Sequence, residues 1–405
     1  MERALRTSLA ALASLSLLAP WTPAQSMSAA TQPVATRPAP AAVPVSPQLR
    51  AKADAATQRG LKYLQSVQAP DGAWQAFGVP DPAITAIVAQ AFTQDPRYGP
   101  GSPIVRKALA FVLSHRQKDG GIYRPGLMLE NYYTSVALMF LSTQPRSDRD
   151  VAKAIRDAQV WLKGNQWTES RENPKTGEAI TTADAWYGGA GYGNSKRPDL
   201  SNTQMMLEAL HQSGLPASDA AYQKALKFVS RCQMLSATND QPYAAEGGDG
   251  GFIYSPANSG ESKAGYTDAD GRQVLRSYGS MTYAGFKSML YANLSRDDQR
   301  VKAAYDWIRR HYTLDENPNM PGAQSKQGLY YYYNVFGKAL QAWGQDMIVD
   351  AEGKKHNWRE DLVAKLVSLQ RQDGTWLNEA DRWYEGNPHY VTGLAVLSMQ
   401  SALQK

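Results

Sequence analysis

From residue 50 onward the apolar positions recur in pairs of helical segments. The first segment of each pair ends on an apolar doublet: Tyr63-Leu64, Phe111-Val112, Trp161-Leu162, Phe228-Val229, Trp307-Ile308 and Leu366-Val367. It also carries cations such as Lys52, Lys107, Lys153, Lys224 and Lys302, which predicts one apolar and one wetted face. The second segment, over 85–92, 134–141, 203–210, 282–290, 334–343 and 392–399, is almost free of charge and usually opens on Thr. Those hydroxyls suit an N-cap or first-turn position, and the missing charge predicts helices buried on most of their surface.

Between the two segments runs a loop in which Gly, Asp and an aromatic recur. Its clearest copies, Gln68-Ala69-Pro70-Asp71-Gly72-Ala73-Trp74 and Gln370-Arg371-Gln372-Asp373-Gly374-Thr375-Trp376, lie near the two ends of the repeat region with identical spacing. Variants are Asp119-Gly120-Gly121-Ile122-Tyr123, Trp186-Tyr187-Gly188-Gly189 and Gly248-Asp249-Gly250-Gly251-Phe252. The residues predict a turn in which Asp caps its own backbone, Gly takes positive φ, and the ring folds back onto the preceding helix. The Gln amide is then free to bond across to a neighbouring unit. Six such pairs, inner set buried and outer set wetted, predict an all-α fold closed into an α6/α6 toroid, because an open solenoid, the alternative, leaves its apolar ends uncovered.

The chain has 405 residues, 43% of them hydrophobic and 20% charged, enough for a sizeable core. Its net charge of +6 is scattered, with no basic run longer than Lys196-Arg197 or Arg309-Arg310, so no nucleic-acid partner is expected. Tyr (22) and Trp (10) outnumber Phe (8), which points to a lined cavity whose aromatics carry polar handles. The lone Cys232 leaves the fold resting on its core. Residues 1–30 read as a signal peptide: Arg3 and Arg6 precede an apolar stretch over 9–19 that is too short to span a bilayer and is broken by Pro20. Residues 31–49 are Pro/Ala-rich and read as a tether, with a buried N-terminal helix as the alternative, and 50–405 form the toroid. A secreted or periplasmic location follows as an expectation.

The Gln-x-x-Asp-Gly-x-Trp loops resemble the QW repeats of the terpenoid cyclase and protein prenyltransferase superfamily, specifically its squalene–hopene-cyclase-like branch of prenyltransferase/squalene oxidase repeat proteins, over residues 50–402. The resemblance implies an α/α toroid around a cavity that handles isoprenoids. In class II triterpene cyclases an Asp-x-Asp-Asp-Thr motif protonates an alkene; the similar stretch here is Asp199-Leu200-Ser201-Asn202-Thr203, with Ser201 and Asn202 in place of two acids. Neither a hydroxyl nor an amide is an acid of the required strength. Prenyltransferases hold zinc with Asp, Cys and His; His389 resembles their His, but Tyr278 and Ser280 stand where the acid and thiolate belong, so no metal or other cofactor is expected. His115, His211, His311 and His356 are isolated in sequence and read as structural or solvated rather than metal-bound.

In such a ring the loops before the inner helices converge on one mouth. The candidates there are Asp81, Tyr132, Tyr133, Asp199, Asn202, Tyr278, Tyr283, the run Tyr330 to Tyr333 with Tyr331 and Tyr333 foremost, Asn334, His389 and Tyr390. Their tyrosines suit cation–π contacts, stacking on sugars, or holding an apolar chain, and suit ordinary packing as well. Asp199, Asp249 and His389 are the candidate proton carriers if the chain is an enzyme, Asp249 being equally a turn former. The segment around Asp350 to Trp358 reads as a polar turn, and 258–273 as a solvated loop with weak calcium binding as the alternative. The expected partner is a hydrophobic small molecule or lipid, with membrane or envelope association through the tether. A noncatalytic envelope scaffold and a polysaccharide-active toroid stand as alternatives; a dry aliphatic lining, a carboxylate pair with Arg, or a filled ring discriminates among them.

Overall fold

The computed structural model describes residues 43–404, apart from 175, 194–196, 246–247 and 270. These belong to the second of two compact units, Pro40–Lys405; the first, Met1–Ala39, lies outside the described residues, and with it the signal peptide and most of the tether. Among the described residues there are twelve α-helices in six pairs. The outer set is α1 (Pro47–Ser66), α3 (Pro103–Leu113), α5 (Arg149–Asn165), α7 (Ala220–Cys232), α9 (Gln299–Arg310) and α11 (Trp358–Leu369). The inner set is α2 (Pro82–Thr93), α4 (Glu130–Leu141), α6 (Leu200–Gln212), α8 (Gly279–Tyr291), α10 (Leu329–Trp343) and α12 (Pro388–Leu403).

Each inner helix packs on the next, and α12 packs back on α2, so the inner helices form a shut annulus; the open solenoid is excluded. The charge pattern explains the layering. In α2 every residue from Pro82 to Phe92 is buried, whereas α9 buries only the stripe Val301, Ala304, Trp307 and Ile308. The outer helices α5, α7, α9 and α11 start on Asp148, Asp219, Asp298 and Asn357, whose side chains accept first-turn N–H groups.

The loops weld the two layers. Trp74 and Trp376 donate their indole N–H to the Leu64 and Leu366 carbonyls at 2.8 Å, folding each ring back on the helix before it. The inner-helix threonines occupy first-turn positions, and their hydroxyls receive loop N–H groups: Trp74 to Thr85, Ile122 to Thr134, Ala190 to Thr203, Phe252 to Thr282 and Trp376 to Thr392. The Gln amides cross to the next outer helix, Gln68 to Ile104, Gln166 to Ala221 and Gln233 to Arg300. Glycine is required where the loop meets that helix: Gly188 has φ +83°, and a Cβ there would lie 1.8 Å from the Lys224 carbonyl oxygen.

Three two-stranded hairpins decorate the ring. β1 (Trp74–Ala76) pairs with β2 (Val79–Asp81), β3 (Tyr266–Ala269) with β4 (Arg272–Leu275), and β5 (Met347–Val349) with β6 (Lys355–Asn357), all antiparallel. The last is the expected polar turn, in which Asp350 accepts the N–H groups of Glu352 and Lys354 and bonds His356 at 2.8 Å. Residues 258–273 contain the β3–β4 turn, where Asp268 accepts the Gly271 N–H, and among the described residues no group of three or more His, Cys, Asp or Glu could hold a metal. The assigned tether runs too far: Pro47 to Leu49 already belong to α1, because Pro favours the first helical turn, and Val45 is buried while the Ser46 N–H donates to Glu360 at 2.8 Å. No described helix is long and apolar enough to cross a membrane.

Candidate functional site

All six inner helices point their N-terminal turns at one cavity of about 460 Å³. Its wall comprises Ala83, Ile84 and Ile87 on α2, Tyr132 and Tyr133 on α4, Ser201 on α6, Ser280 and Met281 on α8, Tyr331 on α10 and Tyr390 on α12. Loops complete the mouth with Ala76, Asp81, Leu127, Leu129, Tyr192, Tyr254, Lys263, Tyr278, Asn317, Gly328, Trp383 and Tyr384. Eight of the lining residues are tyrosines.

The polar groups of this wall are largely satisfied by the protein. Asp81 caps α2 by accepting the Ala83 and Ile84 N–H groups at 2.9 Å, and its second oxygen accepts the Tyr133 hydroxyl at 2.5 Å. The Tyr331 hydroxyl pairs with Ser201 Oγ at 3.0 Å and accepts from Gln204 at 3.1 Å. Asn317 brackets the start of α8, accepting the Ser280 N–H at 2.9 Å and donating to its hydroxyl at 3.2 Å. Burial pushes the phenols of Tyr132, Tyr192, Tyr254, Tyr278, Tyr331 and Tyr390 above the usual tyrosine range, so they remain neutral donors with intact aromatic faces.

Two buried carboxyls stand behind the wall. Asp199 caps α6, accepting the Asn202 N–H at 2.8 Å and its side-chain amide at 2.9 Å, and burial raises its pKa to about 6 against those bonds and the nearby Tyr254 hydroxyl. Glu385 caps α10 from a distant loop, accepting the Tyr331 N–H at 2.8 Å and the Asn378 amide at 2.6 Å, and burial raises it to about 7. That loop holds Trp383 and Tyr384 at φ +58° and +68°, strained conformations that aim two aromatics at the mouth.

The floor is ionic. Glu208, Lys287 and Lys338 each lie seven residues beyond the lining residues Ser201, Ser280 and Tyr331, two helical turns or about 10 Å deeper on the same face. Glu208 pairs with both lysines, bridging α6, α8 and α10 across the annulus. Glu208 and Lys287 are fully buried; the two ammonium groups hold the Glu208 carboxyl down near 2 against its desolvation.

Of the sequence candidates, Tyr132, Tyr133, Tyr278, Tyr331 and Tyr390, with Asp81, line the cavity. The others are placed elsewhere. Tyr283 is packed against Tyr332 and Phe336, Tyr333 donates to the Leu314 carbonyl at 2.9 Å, and Asn334 reaches Ser398, because each points from its helix into the ring wall. Asn202 is buried on Asp199, behind the wall. Asp249 is a turn residue at the outer layer: it accepts the Gly251 N–H at 2.9 Å and the Ser277 hydroxyl, beside the Trp307 indole. His389 bonds the Gln75 carbonyl at 3.0 Å, outside the cavity lining, while Tyr278 and Ser280 are inside it. Missed were Tyr192, Tyr254, Lys263, Trp383 and Tyr384, which lie 4 to 25 residues before an inner helix on the loops that complete the mouth; the four aromatics share the signal of a ring beyond the glycine turn, and Lys263 carries no such signal.

The chain shares its fold with solved toroid enzymes. A variant of the type II terpene cyclase MstE from Scytonema, in complex with geranylgeranyl dihydroxybenzoate, superposes with a TM-score of 0.52 at 14% identity, covering 88% of this chain and 98% of that one. A family 76 glycoside hydrolase from a bovine Bacteroides thetaiotaomicron strain gives 0.52 at 11% identity, covering 87% and 77%. A glycosidase variant in complex with glucose gives 0.50 at 10% identity, covering 88% and 99%. No protein-family model matches the sequence, and no curated protein matches it. The class is therefore an all-α α/α toroid of the kind used by type II terpene cyclases and by glycoside hydrolases.

Proposed function

We propose that this chain is a terpene-cyclase-like toroid that binds a hydrophobic, isoprenoid-type ligand in its central cavity, outside the cytoplasm. One observation carries the reading: a chamber of about 460 Å³ walled by tyrosine rings and by Ile84, Ile87, Leu127, Leu129 and Met281. Ring faces and aliphatic side chains favour an apolar chain, and a rigid wall needs little reordering on binding. The scaffold alternative predicts a filled ring. A polysaccharide-active site predicts a carboxylate pair with Arg; among the described lining residues Asp81 is the one carboxylate, its oxygens are occupied, and there is no Arg.

Alkene protonation is not part of the proposal. Ser201 stands at the wall where the resemblance to class II cyclases places the acid, and the carboxyl two residues before it, Asp199, is turned into the α6 cap. The location rests on residues 1–30, and N-terminal sequencing of exported protein tests it.

Mass spectrometry of material co-purifying with the protein, followed by titration with prenyl chains of graded length, tests the ligand. Saturable binding that is lost in Met281→Trp, which puts an indole into the cavity, supports the reading. Binding of soluble oligosaccharides with no uptake of prenyl chains overturns it.

A further inference from the structure

We propose that Lys263 is the anion-recognising pole of this cavity, and that the ligand is an apolar chain ending in a single carboxylate; the inference rests on the cavity reading above. Among the described lining residues Lys263 is the one cation. Its ammonium pairs with Glu261 and lies 4.5 Å above the centre of the Tyr254 ring. Glu261 is shared, because Arg197 pairs with its other oxygen and its guanidinium lies 5.7 Å from the same ring. Arg197 also faces the buried Asp199 carboxylate, so the cluster is close to balanced in charge, and Lys263 is its member that lines the cavity. An ammonium carries three N–H donors, and Glu261 takes one.

The position of this pole gives the cavity a direction. Lys263 lies on the segment between α6 and α8, and α2 stands opposite α8 in the ring, carrying Ile84 and Ile87. A cationic wall facing an aliphatic wall fits an amphiphile with its head at Lys263 and its chain toward α2. A headless hydrocarbon leaves the remaining N–H donors of Lys263 unanswered in a partly desolvated site. A diphosphate head brings several negative charges against one lining ammonium. A monoanionic carboxylate matches it.

The test compares a C15 polyprenoic acid, the alcohol of the same chain, and squalene, at pH 7.5, where the acid is ionised. Wild type is expected to bind the acid about tenfold more tightly than the alcohol, the size of one charge-assisted hydrogen bond at a half-exposed position, with a preference that shrinks as salt is raised. Lys263→Met abolishes the preference by weakening binding of the acid far more than that of the alcohol, Lys263→Arg retains it, and Glu261→Gln, which removes the competing carboxylate, enlarges it. Equal binding of acid and alcohol by wild type, or an equal loss of both in Lys263→Met, overturns the assignment of Lys263 while the cavity reading stands. Failure of wild type to bind any of the three probes overturns the cavity reading and this inference with it.

Discussion

The side-chain amide of Gln370 donates to the Ala56 carbonyl at 2.8 Å, tying the loop after the last outer helix to the first helix of the ring. The same amide donates to the Gly374 carbonyl of its own loop at 2.9 Å. Gln68 makes the equivalent pair of bonds, to Gly72 and to Ile104, between two units that are already consecutive in sequence. The two positions share a chemistry and differ in what they hold. Gln370→Ala and Gln68→Ala each orphan two carbonyls and are expected to cost about 2 kcal/mol in urea denaturation. Only Gln370→Ala should raise amide hydrogen exchange in both α1 and α12, since only that bond lies on the seam where the ring closes.

The loop glycines allow a sharper comparison. Gly188 and Gly99 both have positive φ, +83° and +68°, but a Cβ at 188 meets the Lys224 carbonyl oxygen at 1.8 Å and one at 99 meets nothing within 4 Å. Gly99→Ala should therefore cost only the left-handed strain, about 1 kcal/mol. Gly188→Ala must in addition push α7 away from the loop, and a loss of at least about 3 kcal/mol is expected. Thermal denaturation of the two variants measures the difference, and equal losses would show that the loop and α7 do not touch.

The pair Glu208–Lys287 is fully buried, with Lys338 as a second partner. Breaking it from one side leaves uncompensated charge in the core. Glu208→Gln is expected to destabilise the fold by about 3–5 kcal/mol, whereas replacing all three residues by Met should be close to neutral, because the desolvation of three ions is then removed together with their attraction. A triple variant as unstable as Glu208→Gln would mean that the network holds α6, α8 and α10 in register in a way apolar packing does not.

This network also marks how far the sequence could be read. The toroid was legible because most loop copies carry the same instructions: Asp bonds its own backbone, Gly meets the next helix, Gln crosses to it, and Thr receives the loop N–H. All of these act within one unit and its neighbour. The near absence of charge on the inner helices was legible too, yet Glu208, Lys287 and Lys338 are exceptions whose partners lie 79 and 130 residues away, and only the closed ring brings them together. The same holds at the mouth. Tyr331 and Tyr390 were recognisable from their place at the start of inner helices, while Lys263, Trp383 and Tyr384 are delivered by loops whose path depends on contacts such as that of Glu385 with α10. Tyr283 and Tyr333 were misplaced because a one-residue rotation on a helix, about 100°, decides between cavity and wall.

Glu385 makes the stability of the protein depend on pH in an unusual sense. Burial raises its pKa from 4.5 to about 7, and raises Asp199 from 3.8 to about 6. An acid whose folded pKa exceeds its unfolded one holds its proton more tightly when folded, so its contribution is fully present below the unfolded value and is lost as pH rises through the folded value. For Glu385 the window runs from about 4.5 to about 7, and the loss approaches about 3 kcal/mol at 1.36 kcal/mol per pH unit. Stability in urea should therefore fall between pH 5 and pH 7.5. Glu385→Gln keeps an acceptor for the Tyr331 N–H but presents a donor to the Asn378 amide, so at pH 5 it should be less stable than wild type by about 1–2 kcal/mol. Because the variant cannot titrate at this position, its decline across the same interval should be much shallower, leaving the part due to Asp199. A variant whose stability falls as steeply as that of wild type would place the proton elsewhere.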